Sequence, residues 1–312
     1  MHTWWLAPLI RLLAALGLPF LVPAVVTIVI WALPGDPASI ICPPELCGGT
    51  DVLAKHWNLD KGPVHFFLNW VKEFFAGDLG KSWRYQQGVD VNELLSTAVP
   101  NTLILLFLSG VTVFLGGVLG GAQVISRRWD SVLIAAGVLP VIVLSLIFSA
   151  MIILEFGAGA SFDGLAYWFR MGAAAITLGF SDGAFSGAVT GFREMVGQER
   201  RERYVEISIL RGENELSNAL PNILSALGGQ LRGRLLQLLS ALVIVEVVLQ
   251  IDGVGALLWG GTLLQDFGLV LGSAAIFALI SSFLLALQAF LEIAVAIYIR
   301  RSPSGVELEA AV

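Results

Sequence analysis

Charge is scarce in this chain. Of 312 residues only 13% are Asp, Glu, Lys or Arg, while 56% are hydrophobic; a soluble domain carries about 25% charged residues. Acidic residues outnumber basic ones, 24 to 18, for a net charge of −6. A surface of that sign is a poor match for nucleic acid, whose phosphates select Lys and Arg. Two cysteines exclude a disulfide-dense secreted scaffold. All three histidines, His2, His56 and His65, precede residue 66. Beyond that point no imidazole can ligate zinc or activate Ser186 in Ala184-Phe185-Ser186-Gly187, so histidine-based proteolysis within the apolar part is excluded. No Gly-x-x-x-x-Gly-Lys-Ser/Thr run is present to cradle the phosphates of ATP.

What the chain has is long apolar runs. A helix crosses a bilayer with about 20 mostly apolar residues, and six such runs lie near 12–33, 99–125, 131–156, 171–192, 223–250 and 268–299. They are continuous and lack the period-two alternation of barrel strands. The reading is an all-α membrane protein of six transmembrane helices. The first run is too long for the apolar core of a signal peptide and reads as a retained span over 9–33, kinked by Pro19 and Pro23. Basic residues orient the bundle. With both termini cytoplasmic, the inner segments hold Arg11, Arg127, Arg128, Arg193, Arg200, Arg201, Arg203, Arg211, Arg232, Arg234, Arg300 and Arg301, which is 12 of the 18 basic residues.

Two segments hold more than half of the charge: of 42 charged residues, 13 fall in 34–97 and 11 in 193–215. The first is an extracytoplasmic loop. Within it Phe67, Trp70, Val71, Phe74 and Phe75 give residues 64–76 an apolar helical face, which suits a helix lying on the bilayer or a docking surface for a partner. The second belongs to a cytoplasmic segment, 193–222, that reads as one or two short helices laced with ion pairs. Helix connections usually take 2–8 residues, so a segment this long is built to touch something. The five-helix core runs over 98–301, and residues 302–312 form a short acidic tail.

Three stretches carry a family likeness. Trp31-Ala32-Leu33-Pro34-Gly35-Asp36-Pro37 closes the first span. Leu59-Asp60-Lys61-Gly62-Pro63, Gly77-Asp78-Leu79-Gly80-Lys81-Ser82 and Val99-Pro100-Asn101-Thr102-Leu103 follow. Val245-Glu246, Asp252-Gly253-Val254-Gly255-Ala256-Leu257 and Asp266 complete the set. In this order and spacing the chain resembles the dipeptide/oligopeptide/nickel permease family of bacterial ABC importers, and within it the first of the two permease subunits. By residue type these are turn motifs: Pro34, Gly35, Asp36 and Pro37 end a helix abruptly, and Gly77 and Gly80 around Asp78, like Gly253 and Gly255, suit tight backbone.

The resemblance implies a type I importer bundle in the bacterial inner membrane. This chain would form half of the pathway, beside a second permease subunit, two ATPase subunits that bind ATP and magnesium, and an extracytoplasmic solute-binding protein. No metal or cofactor is expected in the chain itself. The family's coupling helix inserts into the ATPase; its signature is a Glu, small residues, a Gly six positions after the Glu, and later Leu-Pro. Here the stretch from Tyr204 to Gly212 matches the Glu-to-Gly spacing through Glu206 and Gly212, with Leu220 and Pro221 following, and Tyr204, Glu206, Ser208, Arg211, Gly212, Leu220 and Pro221 are the candidates for the ATPase contact. Ile207 and Ser208 stand at the small positions, and Gly212 precedes Pro221 by nine residues, several fewer than usual. Glu202 fits the spacing to Pro221 instead, which puts Ser208 at the Gly place.

Ionisable residues inside spans default to functional candidates. Asp182 is placed mid-span, with Glu155 and Glu246 toward outer ends, as candidates for the pathway; for Asp182 the structural alternative is a packing residue, for Glu246 an ion pair. Cys42 and Cys47, on the outer side, are either bridged or free. The resemblance implies peptides or similar small solutes as the cargo; nickel would want His or thiolate along the path, and none lies there. A self-sufficient secondary transporter or channel, which would show inverted repeats with broken helices, and a permease-like scaffold without transport are the competing classes.

Overall fold

In lipid a backbone must close its own hydrogen bonds, and the apolar runs do so as helices. The computed structural model describes residues 6–32, 38–39, 54–55, 59–157, 164–212 and 215–301. Pro34, Gly35, Asp36, Pro37, Cys42, Cys47 and the tail 302–312 lie outside the described residues. The helices are α1 (Leu6–Ala32), α2 (Pro63–Phe75), α3 (Val91–Gly121), α4 (Asp130–Gly137), α5 (Val141–Phe156), α6 (Leu165–Phe180), α7 (Ala184–Glu199), α8 (Arg203–Leu210), α9 (Glu215–Val248), α10 (Val254–Leu263) and α11 (Phe267–Arg301). Among the described residues the sole extended pairing is an isolated bridge between Lys81 and Asp90.

Three stretches, Pro8–Ala32, Val91–Gly121 and Phe267–Ile297, are helical, long and apolar enough to cross a membrane. The run expected over 131–156 is not one straight helix. Its two parts meet at 74° because Pro140 has no N–H to give and pushes the residue before it out of the helical region. Counted as one bent span, the pair makes a fourth. The run expected over 171–192 is also broken. Asp182 and Gly183 take φ of +50° and +70°, which ends α6 and restarts the chain as α7. The run over 223–250 overlaps α9, which starts eight residues earlier, ends at Val248 and carries Gln230, Arg232, Arg234 and Gln237 along its middle.

The chain divides into two compact units. One comprises residues 16–104 and 246–282. Its core gathers Ile30, Leu59 and Trp83 with Phe267, and Val91, Leu95 and Ala98 with Val254 and Leu269. Trp70 of α2 is buried against Leu271 and Ala275, with Phe66, Phe67, Val71 and Phe74 around it. The apolar face of α2 is therefore covered largely by the chain's own helices. Phe75 and Leu68 remain exposed, and Phe75 stacks on Phe20 at 5.6 Å.

The other unit comprises residues 1–15, 105–245 and 283–312. Here α7 packs on α4 and α6. The Arg193 guanidinium of α7 donates to both oxygens of Asp130 at 2.7 Å and to the Ile125 carbonyl at 2.8 Å, which ties α7 to the start of α4. Arg11 pairs with Glu292, whose other oxygen accepts from Gln288 at 2.8 Å.

Candidate functional site

Two fully buried carboxylates organise the unit formed by residues 16–104 and 246–282. Glu246, in the last turn of α9, receives the Thr102 hydroxyl at 2.7 Å on one oxygen. Its other oxygen receives the N–H groups of Gly255 and Ala256 at 2.7 and 3.1 Å. Thr102 in turn accepts the Val254 N–H at 2.8 Å, and the Asn101 amide donates to the Asp252 carbonyl at 2.7 Å. Glu246 and Thr102 thus satisfy three of the donors that the start of α10 leaves orphaned. Glu246 is a helix cap engaged within the chain. Among the described residues no cation forms an ion pair with it. Gly253 has an ordinary φ of −118°, so tight backbone is not what it supplies; a Cβ there would lie 2.2 Å from the Glu246 carboxylate. Gly77 and Gly80, by contrast, do have positive φ, +83° and +90°.

Asp266 plays the matching role for α11. One oxygen accepts the Leu269 N–H at 3.0 Å; the other accepts the Ser82 hydroxyl at 2.5 Å and the N–H groups of Arg84 and Tyr85 at 3.0 and 2.8 Å. The Gly77–Ser82 motif is fastened in this way to the start of the last helix, while Asn92 caps it from α3 through Gly77 and Leu79. Burial pushes the Asp266 carboxyl up, but the Ser82 hydroxyl and the N–H groups of Trp83, Arg84 and Tyr85 outweigh it and hold the group below the usual carboxylate range. A depressed value in the folded state stabilises the fold above the unfolded-state value, about 3.9, and that contribution is lost as pH falls through the folded value. Asp266→Asn should therefore melt earlier than the parent at pH 7, by an amount that reflects about 1–3 kcal/mol. The gap should close below pH 4. A gap independent of pH between 7 and 3 would show that the carboxylate charge is not what the motif uses.

The segment 193–222 becomes the end of α7, the eight-residue α8 and the start of α9. Val205 and Ser208 turn inward; Glu206, Ile207, Ile209, Arg211 and Leu220 are exposed, and Leu210 is 82% exposed. Gly212, with φ of +76°, ends α8 and donates to the Ile209 carbonyl at 2.9 Å. Tyr204 is anchored by the Glu199 carboxylate and by the Asn222 amide, which donates at 2.9 Å. Burial, then the hydrogen bond to Glu199, holds the phenol protonated well above its ordinary range. Pro221 falls within α9, beyond the α8 turn. The result is a short helix anchored through Tyr204, which exposes Ile207, Ile209 and Leu210 beside the charged Glu206 and Arg211.

Asp182 is exposed at the break between α6 and α7, not mid-helix. Its N–H donates to the Leu139 carbonyl at 3.2 Å and its carbonyl accepts the Gln237 amide at 3.0 Å. Glu155 is exposed in the last turn of α5. The structure brings Asp182 beside polar residues of α9 that the reading by charge had placed among cytoplasmic flanks: Arg232 and Arg234 lie inside the apolar run 223–250. An arginine midway along an apolar run was the available signal.

Helices of this length and apolarity define a multi-pass helical membrane protein. No protein-family model matches the chain. The oligopeptide transport system permease protein OppB of Haemophilus influenzae is 23% identical to it over 281 residues, which is 84% of this chain and 88% of that protein. The glutathione transport system permease protein GsiC of Escherichia coli strain K12 is 25% identical over 285 residues, covering 86% and 90%. GsiC of Shigella boydii serotype 4 matches to the same extent. The likeness to this family of transport permeases, first visible in the turn motifs, thus holds over most of the chain.

Proposed function

We propose that the chain is a membrane-spanning subunit of an ATP-driven importer for peptides or similar small solutes. The observation that carries the reading is the likeness to OppB and GsiC over 84–86% of the chain, joined to a short exposed helix, α8, at the place where the family docks its ATPase. Six crossings follow if α4–α5 and α6–α7 are each taken as one broken span and α9 as another. The Lys and Arg distribution then puts both termini and α8 in the cytoplasm. A second permease completes the pathway, two ATPases close beneath it, and a solute-binding protein delivers cargo to the outer face in a bacterial inner membrane. Closure of the ATPases drives rigid-body rocking between inward-open and outward-open states.

Ile207, Ile209 and Leu210 supply the apolar contact and Tyr204 the anchor. Leu210→Asp tests the docking, since a residue 82% exposed tolerates a charge without loss of fold. In proteoliposomes holding the whole importer, uptake should fall at least tenfold, about the effect of losing 1.4 kcal/mol of contact, while the chain still assembles with the second permease. Undiminished ATP-driven uptake would remove α8 from the interface. Uptake by the chain alone, driven by an ion gradient, would instead favour a self-sufficient transporter.

A further inference from the structure

The middle of α9 holds a feature that helix capping and ATPase docking leave unused. Gln230, Arg234 and Gln237 recur at helical spacing, with Ala226, Gly229 and Gly233 beside them, and together they line an open groove of about 550 Å³. A polar stripe with an arginine at this depth of a span does not face lipid; it faces protein or water.

The guanidinium of Arg234 is held in place there. Its Nη1 donates to the Gln237 Oε1 at 3.1 Å, and the Gln237 Nε2 donates to the Asp182 carbonyl at 3.0 Å. Both ends of the Gln237 amide are thereby used, so its orientation is fixed. On the other side lies Gly187 of α7, where a Cβ would come within 2.3 Å of Nη2. The bare backbone of that glycine is what admits the guanidinium. Two other arginines of the same unit each meet a carboxylate, Arg11 with Glu292 and Arg193 with Asp130. Among the described residues no carboxylate lies within ion-pair distance of Arg234. A pre-positioned guanidinium, with donors to spare and no resident counter-charge, lacks an anion, and its planar fork matches a carboxylate in two-point contact.

We infer that Arg234, positioned by Gln237 and Gly187, receives the carboxylate of the solute as it passes along the α9 groove. The inference rests on the importer reading and adds to it a chemical preference built into the permease: free carboxylates over neutral ends.

The test compares uptake of trialanine and of trialanine amide by the complete importer in proteoliposomes. The same binding protein is used throughout, so that its own selectivity cancels between variants. Arg234→Gln should lower uptake of the free acid about tenfold or more, the effect of losing a charge-assisted contact, and change uptake of the amide by less than about twofold. Arg234→Lys, which keeps the charge and loses the fork, should fall between. Gly187→Ala crowds only the far end of the arginine side chain and no backbone, so the fold survives, and should shift the acid-to-amide ratio in the same direction by a smaller factor. An acid-to-amide ratio unchanged in Arg234→Gln, or unchanged in Gly187→Ala should Arg234→Gln fail to assemble, overturns the assignment and leaves the importer reading standing. ATP-independent behaviour, or no uptake of either probe by the parent complex, overturns the importer reading and this assignment with it.

Discussion

Glu246→Ala is expected to lower the thermal midpoint of the purified protein by about 5–10 °C, the consequence of roughly 2–4 kcal/mol lost in a unit of this size. The variant strips a fully buried carboxylate from three donors, the Thr102 hydroxyl and the N–H groups of Gly255 and Ala256. The site is fully buried, so the N–H groups of Gly255 and Ala256 are left without an acceptor. Thr102 then loses the acceptor that orients it toward the Val254 N–H, so the damage spreads to a third backbone donor. Glu246→Gln should cost less. Its amide oxygen still serves Gly255 and Ala256, but its NH₂ group faces the Thr102 hydroxyl, which already accepts from Val254. Thr102→Val, which removes the middle link and keeps the shape, should fall near Glu246→Gln. Thermal melts of the three variants in detergent order them. A Glu246→Ala variant that melts with the parent would mean that α10 is held by its packing alone.

How much of this was legible in the sequence depends on the range of the interaction. The long apolar helices α1, α3 and α11 follow directly from composition, because a continuous apolar run leaves the backbone one solution in lipid. The motif residues were visible as an ordered set, but not the reason they travel together. Thr102 and Glu246 are 144 residues apart, and Ser82 and Asp266 184. No periodicity connects such pairs; only the fold does. The helix breaks at Pro140 and at Asp182-Gly183 carried local signals, yet hydropathy averages over a window in which one proline or one Asp-Gly scarcely registers. Arg234 was missed for a related reason. Counting Lys and Arg for orientation treats every basic residue near a span as a flank, whereas this one sits on the groove side of α9 with Gln237 holding it. The amphipathic helix α2 shows the opposite limit: its face was readable, its cover was not, since Trp70 finds Leu271 and Ala275 from the far end of the chain.

Gly120→Ala should be the most damaging single methyl in the unit of residues 1–15, 105–245 and 283–312, which holds α7 and the second half of α3. An ideal Cβ at Gly120 would stand 2.1 Å from the Val189 carbonyl oxygen and 2.7 Å from its Cα. Both are backbone atoms, so no rotamer change relieves the overlap. The helices must separate by about 1 Å, well beyond what a packed interior absorbs without loss. Small residues at such crossings are what let membrane helices approach, since lipid supplies no hydrophobic drive to hold them together. Separation of α7 also strains the Arg193–Asp130 ion pair one turn further along it and displaces the segment leading into α8. A loss of about 1–3 kcal/mol is expected in the thermal melt. Gly121→Ala is the matched control. Its nearest neighbour is the Val196 Cγ2 at 3.5 Å, an ordinary contact, so the same methyl one residue along should leave the melting point close to that of the parent. Equal behaviour of the two variants would show that the α3–α7 crossing is looser than the close approach at Gly120 requires.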